Sequence, residues 1–258
     1  MIITLTTDIG WVYAAEMKGT MLSINPGATV VDISHAVSPQ NVVEGAFVLR
    51  SVAHHFPKNT VHVGVVDPGV GTGRRGIIVV CDDGTLVGPD NGLLMPAAER
   101  LGLKRVYEIS NKKFITDNIS NTFHGRDIFA PVAAYLSKGT KPSDIGKEVG
   151  KYTHLKKGDI SVKSDRLSGQ IMYIDQFGNI ITNIPGALLK GIDWNEEVTV
   201  RLGGRTIGLK FLQSYGYAAE GELLLTVSSF DLLEIACNKE NAGQKLSAMV
   251  GQNISIIL

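Results

Sequence analysis

The chain has 258 residues, 44% of them hydrophobic and 19% charged, with Lys plus Arg equal to Asp plus Glu at 25 each. That length exceeds what one core usually serves and implies two domains, while the apolar share excludes wholesale disorder. Balanced charge gives no long-range positive field for nucleic acid or an anionic membrane, so neither is expected as a partner.

The first half alternates strand-like and helix-like stretches, the order that builds an α/β domain with a central sheet flanked by helices. Ile2 to Thr6 reads as a strand. Residues 13 to 24 place Ala14, Met17, Met21 and Ile24 three or four apart, a helical face stopped by Asn25, Pro26 and Gly27. Val30 to Ile33 is the next strand, and Asn41 to Phe56 has helical spacing up to Pro57. VHVGVV is an apolar strand that delivers Asp67 to its C-terminal end. IIVVC and TLVG follow, joined by DDG as a hairpin signal. A further helix is expected from Arg126 to Leu136, with Pro131 able to kink it or shift its start.

After Gly139 the pattern changes. KPSDIGKEVGKYTHLKKGD reads as a linker, and beyond it strands are short: Gly169 to Ile174, Val198 to Leu202, Thr206 to Phe211, Glu222 to Val227 and Leu232 to Ala236. The Gly-Gly pair between Leu202 and Arg205 is a two-residue turn signal. We therefore expect domains at 1–158 and 159–258, the second a small all-β sandwich or barrel. Cys81 and Cys237 sit in apolar runs, where a thiol behaves as a small buried hydrophobe, which suits a reducing cytoplasm. The N-terminal stretch lacks the features of a signal peptide, and no apolar run reaches membrane-spanning length.

Several stretches carry chemistry. TTDIG puts Asp8 just past the first strand, either as the cap of the following helix or as a carboxylate able to hold both hydroxyls of a ribose; taken alone, the stretch favours the cap. GTGRRG satisfies the G-x-G-x-x-G pattern formally, but a strand follows where a dinucleotide site needs a helix, and no Lys-Ser or Lys-Thr completes a phosphate loop. What remains is a loop that brings Asp67 near Arg74 or Arg75, unless it is a wide hairpin with a solvent-exposed ion pair of little worth. NTFHGRDIFAP places His124 at a helix start. A carboxylate, a fixed cation and a titratable imidazole converging on one point would activate water; apart, His124 is a surface or capping residue. In the second half Asp175 and Asn179 occupy a turn between β-like runs, which needs such residues anyway, and Glu234 stands inside LLEIAC, where a carboxylate requires a partner.

Taken together, TTD, VDPGVGT-x-RR, PDNG, FHGRDIFAP, D-x-FGN-x-x-TNI and LEIA-x-N, in this order over nearly the whole chain, resemble the S-adenosylmethionine hydrolase family, adenosyl transferases to water related to fluorinating and chlorinating enzymes. The resemblance implies a smaller C-terminal β-barrel domain and a homotrimer with each site between the N-terminal domain of one subunit and the C-terminal domain of the next. It also implies attack of water on ribose C5′ of the substrate, releasing adenosine and methionine without cofactor or metal. By motif, Asp67, Arg74 and His124 orient the water, the family pattern pointing to Arg74 rather than Arg75. Asp8 matches the ribose carboxylate, Asp175 and Ser229 the methionine end, and Asn179 the adenosine side; Glu234, Asn241 and Ala242 are further substrate contacts. The family includes enzymes selective for the (R) sulfonium epimer. Its halogenating members lack the Asp and His at positions 67 and 124, and a fixed carboxylate repels halide while accepting a proton from water. The rivals are a halide-using relative, which would need chloride, and a non-catalytic binder of adenosine or S-adenosylmethionine, which would be stabilised by ligand without making product.

Overall fold

The computed structural model describes residues 1–156 and 158–257. The chain divides into two compact units, Met1–Leu155 and Lys156–Leu258.

The first unit contains β1 (Ile2–Thr7), α1 (Gly10–Ile24), β2 (Thr29–Ser34), α2 (Val42–Ala53), β3 (Thr60–Val65), β4 (Gly76–Cys81), β5 (Gly84–Pro89), α3 (Met95–Arg100), β6 (Leu103–Ile109), α4 (Ala130–Ser137), α5 (Pro142–Ile145) and β7 (Gly146–Glu148). Its seven-stranded sheet has the order β2-β1-β3-β5-β4-β6-β7. The pairs β1/β2, β1/β3 and β3/β5 are parallel and the remainder antiparallel, so the sheet is mixed. Every residue of β3 is buried, the reason its sequence is an apolar run rather than an alternation. One face of the sheet, carrying Ile3, Leu5 and Val63, packs against Met17 and Met21 of α1 and Val132, Ala133 and Leu136 of α4. The opposite face packs against Ala46 and Leu49 of α2 and Ala97 and Ala98 of α3. The three-and-four spacing on α1 thus buries Ala14, Met17 and Met21 completely, and each methionine contributes roughly 1.5–3 kcal/mol of burial. Asn41 caps α2 by accepting from Glu44 N at 3.1 Å.

Besides α3 and β6, which were not anticipated, two stretches of this unit differ from the sequence expectation. The segment expected as a helix from Arg126 is a π-turn, Gly125–Phe129, running into α4; Pro131 has no N–H to give the Asp127 carbonyl four residues back, and that oxygen accepts instead from Thr116 N at 3.0 Å. Within the expected linker, α5 and β7 belong to the first unit, β7 pairing with β6 at the sheet edge. Elements of four and three residues are too short to register as periodicity.

The second unit contains β8 (Ser161–Lys163), β9 (Arg166–Ile174), β10 (Ile180–Pro185), β11 (Glu197–Leu202), β12 (Arg205–Phe211), β13 (Leu223–Val227), β14 (Leu232–Cys237), α6 (Ala242–Leu246) and β15 (Asn253–Ile257). Strands run β10-β14-β13-β12-β11-β15-β9, and β9 pairs back to β10, closing a seven-strand barrel with β8 added outside β9. Alternate residues such as Val198, Val200 and Leu202 fill its interior. Gly203 and Gly204 hold φ of 59° and 76°, the two positive values a tight hairpin between β11 and β12 demands.

Candidate active site

β3 ends beside Asp67, and the strand end is fixed from the side: Asn91 Nδ2 donates to Val66 O at 2.8 Å while its Oδ1 accepts from Leu93 N at 3.1 Å. The glycine-dense loop that follows is folded, not slack. Val70 N bonds Asp67 O, Thr72 N bonds Gly69 O, and Thr72 Oγ1 donates to Gly69 O at 2.7 Å. Gly71 has φ of 76°, and a β-carbon there would lie 2.2 Å from Asn121 O. Only glycine lets this loop touch the segment that leads to His124.

That contact brings three side chains together. Arg74 binds Asp67 through two parallel bonds, Nε to Oδ1 at 3.0 Å and NH2 to Oδ2. Its NH1 donates to Arg75 O at 2.9 Å, and its NH2 also donates to His124 Nδ1 at 3.1 Å. The guanidinium carbon lies 5.3 Å from the Phe129 ring centroid. The pair is 9% and 6% exposed, so the reading of a solvent-exposed hairpin ion pair does not hold. Removing one member of such a buried pair costs about 3–5 kcal/mol, because the other charge stays buried alone. Arg75 points elsewhere: it bonds Asp90 at 2.5 Å and Lys151 O at 2.8 Å, so Arg74 is the arginine that meets Asp67 and His124.

His124 precedes the π-turn but does not cap it with its side chain. Burial holds its pKa below the ordinary 6.5, Arg74 lowers it further, and the Asp67 and Asp127 carboxylates oppose the shift. Arginine has no acceptor, so Nδ1 must receive the hydrogen bond, and the neutral ring carries its proton on Nε2. The imidazole is thereby fixed as an Nε2–H donor.

Asp67 and His124 line a cleft of about 170 Å³ together with Asp8, Thr122 and Phe123. Asp8 is not the helix cap that its position alone favours. Ile9 occupies the cap position without a side-chain bond, and Asp8 Oδ2 accepts instead from Gln40 N at 2.7 Å. Sequence reasoning missed two exposed aromatics: Tyr13, 54% exposed, meets the cleft-lining Phe123 edge-on at 5.3 Å, and Trp11, 68% exposed, meets His35 edge-on at 4.9 Å. Two exposed aromatics in the first turn of a helix, directly after TTD, were the available signal.

In the barrel, Asp175 Oδ1 accepts from Phe177 N and Asn179 N, both at 2.9 Å, and Oδ2 accepts from Asn179 Nδ2 at 2.9 Å. Asn241 caps α6 through Gln244 N at 2.7 Å, Ala242 is fully buried, and Gly243 N bonds Gly178 O, so the start of α6 lies against this turn. Glu234, 3% exposed, accepts from Tyr215 OH at 2.8 Å. Burial raises the Glu234 pKa and Asp175 adds to the rise, while the Tyr215 bond opposes it. Ser229 stands apart on the exposed turn between β13 and β14. Because Ile180 pairs with Ile235 and Pro185 with Leu232, that turn and the Asp175 turn lie at opposite ends of the β10/β14 ladder. A larger hollow of about 520 Å³, between Ser168, Arg201 and Ser255 on the barrel, contains none of the residues singled out from the sequence.

Fold and cleft together define an enzyme of two units, a mixed α/β sheet and a closed barrel, with a buried carboxylate–guanidinium–imidazole set at a strand end. The model of the SAM hydroxide adenosyltransferase N-terminal domain matches residues 3–146, and that of the C-terminal domain matches residues 169–255. The chain belongs to the SAM hydroxide adenosyltransferase family. It is 36% identical to the (R)-S-adenosyl-L-methionine hydrolase of Salinispora tropica, over 98% of this chain and 97% of that one. A fluorinase of an Actinoplanes species is 28% identical, over 99% and 97%. The crystal structure of an uncharacterised conserved protein from Thermotoga maritima superposes with a TM-score of 0.93 at 40% identity, covering 99% of both chains.

Proposed function

We propose that this protein hydrolyses S-adenosyl-L-methionine to adenosine and L-methionine, with the (R) sulfonium epimer preferred, as the names of its hydrolase relatives suggest. The observation that carries this is the bonded set of Asp67, Arg74 and His124 beside a cleft that also contains Asp8. Water oxygen attacks C5′ from behind the sulfonium, the C5′–S bond breaks, and its electron pair leaves with sulfur as the neutral thioether of methionine. Atoms and charge balance with substrate and water alone, one proton being released.

The chain's part is to hold and deprotonate that water. By motif Asp67, Arg74 and His124 all orient the water; the tautomer of His124 argues for a division of labour among them. Asp67, ionised against Arg74, accepts the proton, while the Nε2–H of His124 donates to the water oxygen and keeps a lone pair facing C5′. Arg74 sets the geometry of both. We assign Asp8 to the ribose hydroxyls, Asp175 to the methionine end, Asn179 to the adenosine side, and Glu234, Asn241 and Ala242 to further contacts; Ser229, which the motif also assigns to the methionine end, lies at the other end of the β10/β14 ladder from Asp175 within one copy. In this reading the α/β unit activates water, the barrel holds substrate, and three copies of the chain pair one unit's cleft with the next copy's barrel. The setting is the reducing cytoplasm, consistent with the buried free thiols of Cys81 and Cys237. Among the described residues no helix is long and apolar enough to cross a membrane.

Incubation with each sulfonium epimer in heavy-oxygen water tests the reaction. Label in the 5′-oxygen of adenosine is expected, faster from the (R) epimer. Chloride-dependent formation of 5′-chloro-adenosine, or thermal stabilisation by ligand without any product, would replace the proposal with one of its rivals.

A further inference from the structure

The loop that carries His124 is tied down by a group outside the cleft. Asp127 is 2% exposed, and its carboxylate accepts from Arg126 Nε at 2.7 Å, Arg126 NH2 at 3.1 Å and Ser120 N at 2.8 Å. Its main-chain oxygen accepts from Thr116 N at 3.0 Å. Arg126 is anchored in turn by Glu16 of α1 at 2.8 Å, and its guanidinium lies 5.2 Å from the Phe123 ring centroid. Residues 116–127 therefore form a loop closed at its base by Asp127, with Asn121 bearing on Gly71 and His124 bonded to Arg74. Burying a carboxylate is costly unless several donors meet it, and here those donors all belong to the loop or to its brace. The π-turn that begins one residue after His124 is a local departure from helix geometry of the kind found at functional sites.

We infer that Asp127 is the positioning residue that sets the His124 ring against Arg74, with Arg126 and Glu16 holding Asp127 in place. This rests on the reading of His124 as a holder of the nucleophile. Asp127 does not line the cleft, so its effect passes through His124.

The charged groups that bear on the ring are Arg74, Asp67 and Asp127, with Asp8 across the same cleft. The Asp127 charge by itself raises the pKa of His124. If that charge were its whole influence, Asp127→Asn would lower the pKa further. If Asp127 positions the ring, the same variant frees His124 from burial and from Arg74, and the pKa climbs toward 6.5 with both tautomers visible.

Nitrogen NMR of the His124 ring across a pH titration, alongside steady-state hydrolysis, distinguishes these. We expect the pKa to rise in Asp127→Asn, kcat to fall by about tenfold or more and KM to stay within about twofold of wild type. Arg126→Gln removes a cation that is 35% exposed and serves if the first variant does not fold; it should mix the tautomers and lower kcat by a smaller factor. A falling or unchanged pKa with a single tautomer in Asp127→Asn, or an unchanged ring spectrum in Arg126→Gln, would overturn the inference. The NMR readout needs no turnover, so a wild-type protein that fails to hydrolyse the substrate would sink the functional reading and leave this one to be judged on the ring alone.

Discussion

The two units each place acidic and amide side chains at strand ends, but they use them differently. In the α/β unit, Asp67, Arg74 and His124 come from segments up to 57 positions apart and bond mainly to one another, which fixes an ionised carboxylate and a neutral imidazole beside a cleft. In the barrel, Asp175 spends its oxygens on the backbone and amide of its own five-residue turn, and Asn241 caps its own helix. A polar side chain bonded across the fold constrains protonation and geometry together, whereas one bonded to its neighbours mainly builds a turn.

The largest expected effects lie in the first set. Asp67→Ala should reduce kcat by roughly 10²–10⁴, the range for losing a positioned proton acceptor, and should destabilise the protein by about 3–5 kcal/mol because Arg74 is left buried with one charge unanswered. Steady-state hydrolysis and urea denaturation check the two figures; retention of kcat with only the stability loss would reduce Asp67 to a structural ion pair. Gly71→Ala should follow closely. It forces a side chain into left-handed backbone against Asn121 O, parts the loops that carry Arg74 and His124, and should cost about a hundredfold in kcat with substrate affinity little changed.

The contrast also explains what could be read without coordinates. Burial made VHVGVV legible as a continuous apolar run and the helix 13–24 legible by its three-and-four spacing, and Asp67 and His124 drew attention as polar residues at element ends. Linked motifs then separated Arg74 from Arg75, a choice that neither spacing nor composition makes. The tautomer of His124 was not legible, since it depends on which ring nitrogen faces a guanidinium brought from elsewhere in the chain. Nor was the Gln40 bond that takes Asp8 away from the helix start, which depends on a residue with φ of 64° at position 40. The edge strand β7 was missed because three residues are too few to show a period, whereas β15 was missed although it is as long as β13, which was read.

Acid should separate activity from stability. Because the pKa of His124 is held below 6.5, the ring is neutral at neutral pH, and kcat/KM should fall along its acid limb only below 6.5, where protonation of Nδ1 breaks the Arg74 bond. Stability is expected to follow another histidine. His62, in the middle of β3 and bonded to Thr4 Oγ1 at 2.9 Å, is pushed down to about 4 by burial. Its folded pKa lies below the unfolded value, so the stabilisation is complete above 6.5 and is lost as pH falls through 4, on the order of 3 kcal/mol in all. Unfolding titrations of His62→Gln should flatten that slope while leaving the acid limb of activity in place. An acid limb above 6.5 in the wild type would mean that His124 is not neutralised by burial and Arg74.

The smallest effect tests the barrel side. Tyr215→Phe removes the donor that holds down the pKa of buried Glu234, leaving burial and Asp175 to raise it unopposed. Losing one partly exposed hydrogen bond should cost about 1 kcal/mol, and the carboxyl should titrate at higher pH by infrared difference spectroscopy. If Glu234 contacts substrate as we propose, KM should rise severalfold while kcat stays within about twofold, because a contact at the held end of the substrate acts equally before and during bond breaking. An equal fall in kcat and kcat/KM would instead make Glu234 part of the reacting centre, and the division between a unit that activates water and a unit that grips substrate would fail.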